Sequence, residues 1–112
     1  MDRVTQLRKA VFTVLKRYQG RWQKHDSATI QVVHDKATNL YQMIRFGWAS
    51  DTNFVFYSVY ALQIRNGKIW LLENRTDVDI TEDLMELGVD RMDIVLGFIP
   101  EHERPYTDYA VS

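Results

Sequence analysis

The sequence predicts an α+β domain in which an N-terminal helix packs on an antiparallel meander sheet. Two observations lead to this prediction. An apolar stripe at helical spacing runs through residues 2–19, and an Asn-Gly dipeptide at 66–67 joins two strand-like runs within residues 54–73. With 112 residues and 46% hydrophobic content, the chain can form one core but is too short for two. We therefore expect a single domain over residues 1–112.

Composition excludes several classes of site. The chain has no cysteine, which rules out disulfides, thiolate metal sites and a cysteine nucleophile. The first residues are charged, and no stretch approaches the roughly 20 apolar residues that a membrane span requires. We expect a cytoplasmic protein that makes no membrane contact.

The first element is an amphipathic helix that Gly20 is expected to end. Its apolar stripe consists of Val4, Leu7, Val11, Val14, Leu15 and Tyr18. Residues 1–24 contain seven bases and one acid, a net charge of +6, whereas residues 73–112 contain three bases and eleven acids, a net charge of −8. Direct nucleic-acid contact is one interpretation of the basic region, and a solvated face or an acidic partner is the other. The possible nucleic-acid contacts are Lys9, Lys16, Arg17 and Lys24.

A hairpin is predicted next, with strands at Ala28–Asp35 and Leu40–Trp48. Side chains alternate between the two faces of the second strand, and both faces carry apolar residues, so neither is expected to face solvent alone. One face carries Leu40, Gln42, Ile44, Phe46 and Trp48, and the other carries Tyr41, Met43 and Arg45. The four predicted strands follow one another as a meander, but their spatial order stays open.

The Asn66-Gly67 turn sets the register of the central hairpin. A two-residue type I′ turn places Arg65 opposite Lys68 and Gln63 opposite Trp70. Strict alternation then assigns two faces. The face under the helix should carry Tyr60, Leu62, Ile64, Ile69 and Leu71, and the other should carry Tyr57, Val59, Ala61, Gln63, Trp70 and Leu72.

The last third predicts a short helix, a short fifth strand and a docked tail. Asp79 is a suitable N-cap for a helix over residues 80–87 that Gly88 stops, and residues 93–98 have the composition of a strand. The aromatic and apolar residues after Arg104 are unusual near a terminus, so we expect this tail to dock on its own domain or on another chain.

Catalytic motifs are missing from the sequence. The three histidines, His25, His34 and His102, belong to no recognisable metal or nucleophile motif. Glu101 and Glu103 flank His102, but adjacent side chains in an extended tail point in different directions, which favours a solvated cluster over a metal site. We predict no enzyme activity, no catalytic residue, no metal and no cofactor.

The predicted function is protein binding. One long helix covers one sheet face, and the short second helix is too small to cover the other, so another chain is expected to contact it. In the alternative, the short helix and the tail complete a core within one monomer. The predicted interface consists of Tyr57, Val59, Gln63, Trp70, Arg104, Tyr106, Thr107, Tyr109 and Val111. When the protein is alone, the same face is expected to form a homo-oligomer.

Three segments carry a family resemblance: NGKIW at 66–70, ELGVDRMDIVLGF at 86–98 and RPYTDYAV at 104–111. They closely resemble the XisI family, the fdxN-element excision controlling factors of cyanobacteria. The resemblance implies a small cytoplasmic α+β protein without established catalysis, associated with excision of a DNA element by a site-specific recombinase. It also implies pairing with XisH, a protein similar to PD-(D/E)XK nucleases, and hence a regulatory subunit.

Overall fold

The computed structural model describes residues 2–112 and has the predicted α+β architecture. Helix α1 spans Arg3–Gln23 and helix α2 spans Ile80–Glu86. The strands are β1 Thr29–Asp35, β2 Leu40–Trp48, β3 Phe54–Arg65, β4 Lys68–Asn74 and β5 Ile94–Leu96. Two 3₁₀ helices span Arg91–Asp93 and Glu101–Tyr106. Within this described part of the chain, no helix is long and apolar enough to cross a membrane.

The five strands form one sheet in the order β1-β2-β3-β4-β5. The first four strands are antiparallel meander neighbours, but β5 runs parallel to β4. The sheet is therefore mixed, because α2 lies between β4 and β5 and returns the chain to the same end of the sheet. Beyond β5, Ala110 forms a parallel bridge with Val95 and donates its N–H to the carbonyl of Ile94 at 2.9 Å. The tail thus docks on its own domain, at the edge of β5.

Helix α1 covers one face of the sheet, as the stripe predicts. Asp2 caps it by accepting the Thr5 N–H at 2.8 Å. The stripe residues from Leu7 to Tyr18 are buried in one core with residues of the sheet and of α2. We call the sheet face under α1 the helix side and the opposite face the open face.

The prediction that Gly20 ends α1 is wrong, because tertiary contacts extend the helix to Gln23. The Gln23 side-chain amide donates to the carbonyl of Ala28 at 2.8 Å and accepts the N–H of Ile30 at 2.7 Å. Trp22 also packs edge-on against Tyr60, with ring centroids 6.5 Å apart. These contacts stabilise an extra turn that local propensity does not favour.

The turn between β3 and β4 has the predicted geometry. Asn66 and Gly67 have φ values of +53° and +73°, as a type I′ turn requires. The register places Gln63 opposite Trp70 and Arg65 opposite Lys68, which confirms the pairing expected from the sequence.

Two β-bulges interrupt the strict alternation of side chains in the central hairpin. The β2–β3 register passes from Tyr60 to Ser58 and skips Val59, and the β3–β4 register skips Leu72. Val59 and Tyr60 are therefore both buried in the core beneath α1, and Tyr57 packs against that core. The prediction that Tyr57 and Val59 share the face of Trp70 is wrong, because the extra residue at Val59 moves both to the helix side.

Helix α2 has the predicted N-cap and the predicted stop at Gly88, and its last helical residue, Glu86, lies one position before the predicted end. The Asp79 carboxylate accepts the Thr81 N–H at 3.0 Å, which caps the first turn. At the other end Gly88 has a φ of +94°, and the Val89 N–H donates to the carbonyl of Leu84 at 3.1 Å. This termination directs the chain toward β5 and buries Val89 in the main core.

Candidate protein-interaction site

Trp70 lies at the centre of a small second core on the open face. It packs with Val95 and Ala110 and is only 9% exposed. The guanidinium groups of Arg65 and Arg104 lie 4.5 and 5.1 Å from the centre of its ring, in cation–π contact. The chain itself therefore covers most of the indole, as the single-monomer alternative expects for this residue.

Arg104 ties the tail to this second core. Its Nε donates to the carbonyl of Ile99 at 3.0 Å, and a terminal nitrogen donates to the carbonyl of Val111 at 3.4 Å. Because the same guanidinium contacts the Trp70 ring, one side chain fixes the 3₁₀ helix Glu101–Tyr106, the end of the tail and the sheet relative to one another.

The other predicted tail residues divide between interior and surface. The Tyr109 hydroxyl lies 2.8 Å from the Thr81 hydroxyl, and its ring packs against the main core. Thr107 donates its hydroxyl to the Arg104 carbonyl at 2.9 Å. Tyr106, in contrast, is 90% exposed, and Val111 is also exposed. The interface role of these residues stays a prediction, and Tyr106 and Val111 are the members that a partner can reach.

Gln63 borders the second core and is half-buried. Its amide nitrogen donates to the carbonyl of Thr38 at 3.0 Å, and its amide oxygen accepts from Arg65 at 2.6 Å. Arg65 in turn lies over the Trp70 ring. We define the tail surface as Gln63, Trp70, Arg104, Tyr106 and Val111.

A second group of aromatic side chains lies on the open face, next to the loop that joins β2 to β3. Phe46 pairs with Phe56 in the register, and Trp48 pairs with Phe54. The ring centroids are 6.2 Å apart in the first pair and 5.4 Å apart in the second. We call these four residues the aromatic ladder. The alternation of β2 indicates that Phe46 and Trp48 share a face. Their pairing with Phe54 and Phe56 could not be predicted from the sequence, because the bulge at Val59 reverses the faces of the β3 residues before it.

The basic residues of α1 are only partly available for other contacts. Arg3 forms an ion pair with Asp93, and Arg17 lies 3.8 Å from Asp83, which also accepts a hydrogen bond from Tyr18. Lys9, Lys16 and Lys24 are exposed. The predicted nucleic-acid face therefore retains three exposed lysines, while its fourth member, Arg17, is paired with an acid from the last third of the chain.

A polar network joins the end of α1 to the sheet on the helix side. Arg45 donates to Asp26 through Nε at 2.7 Å and to the Tyr57 hydroxyl at 3.2 Å. The hydrogen bond from Arg45 holds the pKa of Asp26 below its usual value of 3.8 and raises the pKa of Arg45 in turn. Arg75 lies 5.2 Å from the centre of the Tyr57 ring. Tyr57 thus has a structural role beside the core.

A groove of about 510 Å³ runs between α1 and the segment after α2. Arg3, Lys9, Leu87 and Val89 are among the residues that line it. Among residues 2–112, no group of three or more His, Cys, Asp or Glu side chains is placed to hold a metal ion. The groove thus offers apolar walls and a basic rim.

Comparisons with known proteins agree with this architecture. The family model for the XisI protein matches residues 1–111. A crystal structure of a XisI-like protein from Anabaena variabilis ATCC 29413 shares 35% identity and a TM-score of 0.87, covering 99% of this chain and 100% of that chain. The structure of the fdxN element excision controlling factor XisI from the same organism shares 28% identity and a TM-score of 0.83, with the same coverage. Among curated proteins, none matches. The chain therefore belongs to the XisI protein family.

Proposed function

We propose that this protein is a non-enzymatic regulatory factor for excision of a DNA element, and that it acts by contacting an XisH-like, nuclease-like protein. Family membership supports the regulatory role, as does the similarity to a structure described as an excision controlling factor. The partner and the protein-contact mechanism are our inference from the resemblance and from the surface of the domain.

The tail surface is the proposed site of this contact. The observation that favours it is Tyr106, which is 90% exposed on a 3₁₀ helix that Arg104 anchors to the sheet. A tyrosine offers a large apolar ring with a polar hydroxyl, and it loses little conformational entropy when it binds. Tyrosine and arginine are also enriched among the residues that dominate binding energy. Trp70 lies beneath Arg104 and supports the surface, but it is too enclosed to be the first point of contact.

The test is the affinity of Tyr106→Ala for the XisH-like protein from the same host, measured by calorimetry. We expect the dissociation constant to rise about tenfold or more, as for removal of a central aromatic contact. Because Tyr106 is almost fully exposed, the variant should melt like the wild type. Met92→Ala, at an exposed position on the other 3₁₀ helix, is the matched control and should bind normally. Unchanged affinity of Tyr106→Ala would place the contact elsewhere.

The second candidate function is direct DNA binding by the exposed lysines on α1 and at its C-cap. Lys9, Lys16 and Lys24 favour it, because phosphate contacts need freely accessible cations. Binding of the isolated protein to duplex DNA at rising salt separates the two candidates. DNA contact predicts affinity that falls steeply with salt and is lost when the three lysines become glutamine. A protein-contact function predicts weak DNA binding and an unaltered affinity of the triple variant for the XisH-like protein.

A further inference from the structure

The aromatic ladder exposes an unusual amount of apolar surface. Trp48, Phe54 and Phe56 are 60%, 56% and 70% exposed. With ring side chains of roughly 150–250 Å² each, these three residues present on the order of 400 Å² to solvent. A patch of that size is comparable to the largest apolar patch of a typical monomer, and such patches commonly mark contact sites.

The ladder also has apolar neighbours that extend it across the open face. Ile44 lies opposite Ser58 in the register and is half-buried, and Val33 of the edge strand β1 is exposed. A stable interface covers about 800 Å² on each partner. The ladder alone provides about half of that area, and its neighbours on β1 and β2 extend it further.

The ionisable side chains of the open face lie away from the ladder, since Asp35 is opposite Leu40 and Arg65 is opposite Lys68. At the described positions on this face from Leu40 to Trp48 in β2 and from Phe54 to Ser58 in β3, no side chain is ionisable. Those positions are Leu40, Gln42, Ile44, Phe46, Trp48, Phe54, Phe56 and Ser58. The uncharged part of the face that contains the ladder can stack on its own copy without like-charge repulsion, whereas the strongly charged segments 1–24 and 73–112 would favour a partner of opposite charge.

We propose that the aromatic ladder is the contact between two copies of this chain, which pack open face to open face about a two-fold axis. In a two-fold contact the same patch occurs on both sides, so each aromatic residue meets apolar surface of the same kind. At the border the Ser58 hydroxyl already donates to the Gln42 amide oxygen, and the Gln42 amide nitrogen can donate to an acceptor of a symmetry-related copy. The tail surface lies at the opposite end of the open face, on Gln63 of β3, Trp70 of β4 and the tail, which leaves Tyr106 available to a different protein.

The test is sedimentation equilibrium of the wild type and Phe56→Glu over a wide concentration range. We expect the wild type to approach twice the monomer mass, and Phe56→Glu to remain at the monomer mass because it places a charge in a desolvated centre. Since Phe56 is 70% exposed, the substitution should leave the circular dichroism spectrum unchanged. Tyr106→Glu is the matched control at an exposed aromatic residue of the tail surface, and it should dimerise like the wild type.

Tryptophan emission gives a second readout of the same contact. Trp48 should become shielded in the dimer, so its emission should shift to longer wavelength as the wild type is diluted. Trp48→Phe should still dimerise but lose this shift, because the remaining tryptophans lie away from the ladder.

Three results would overturn the proposal. The first is a wild-type protein that is monomeric at every concentration. This result would overturn the proposal even if Phe56 proved to bind the XisH-like protein instead. The second is a dimer that persists in Phe56→Glu. The third is a dimer that Tyr106→Glu abolishes, which would assign self-association to the tail surface. The dimer and the XisH-like contact are tested by different variants, so failure of one leaves the other intact.

Discussion

Leu15→Ala tests whether the α1 stripe holds the domain together. Leu15 is fully buried in the core that α1 shares with the sheet and α2. Because residues from several elements enclose the site, the cavity can close only partly, and we expect a loss of about 3–4 kcal/mol in the free energy of unfolding. A domain of this size is stabilised by about 5–15 kcal/mol in total. With an unfolding entropy of about 2 cal/mol/K per residue, the melting temperature should fall by roughly 15 °C.

Calorimetry and urea unfolding at one fixed protein concentration measure this change. A fixed concentration is needed because dimerisation would itself raise the melting temperature. Phe12→Ala is the control on the same helix, since Phe12 lies outside the core and is half-exposed, and we expect it to lose less than about 1 kcal/mol. If Leu15→Ala melted within a few degrees of the wild type, or if Phe12→Ala lost as much stability, the assignment of the buried face would be refuted.

Two further predictions concern the turn and the polar network. Gly67→Val should lower the free energy of unfolding by about 1–2 kcal/mol, because a β-branched residue is strained at a φ of +73°; Gly20→Ala, in a helix with open space around it, should be neutral or stabilising by up to about 1 kcal/mol. Equal losses in urea unfolding would contradict the turn geometry. For Asp26, the pKa in the folded protein lies below 3.8, so its contribution to stability is complete above that value and is lost as the pH falls through the folded pKa. The wild type should therefore lose stability more steeply than Asp26→Asn when urea unfolding is followed below pH 3.8, and parallel pH curves would show that the Arg45 pair stabilises nothing.

Much of the fold could be predicted because local chemistry determines it. The Asn66-Gly67 turn permits one hairpin register, and the spacing of the α1 stripe identifies the buried side of that helix. The cap at Asp79 and the stop at Gly88 likewise depend on residue types with narrow backbone preferences. In each case the sequence pattern that predicts the structure is local, although the contacts of the α1 stripe are with distant elements.

The predictions that were wrong depend on contacts between distant parts of the chain. A β-bulge needs one extra residue in a strand, and nothing in the residue types at Val59 and Leu72 distinguishes them from ordinary strand residues. The extension of α1 beyond Gly20 depends on Gln23 meeting a strand that only the folded chain brings close. The assignment of Tyr57 and Val59 to the face of Trp70 is therefore wrong, whereas Arg104 and Ala110 of the tail do contact Trp70; the interface role of these residues stays a prediction.

The order of the elements has a consequence for synthesis of the protein. Helix α1 is synthesised before the sheet and α2, but its buried residues share a core with Tyr60, Ile69 and Leu84, which are made much later. Ile30 and Met43 of that core follow α1 closely in the sequence, but the apolar stripe remains only partly covered until Leu84 has been made. Such non-local contacts slow folding, and an unpartnered apolar helix favours aggregation in the interval. The lysines and arginines on its other face keep the helix hydrated, and their positive charge makes helices of different nascent chains repel one another until the core is complete.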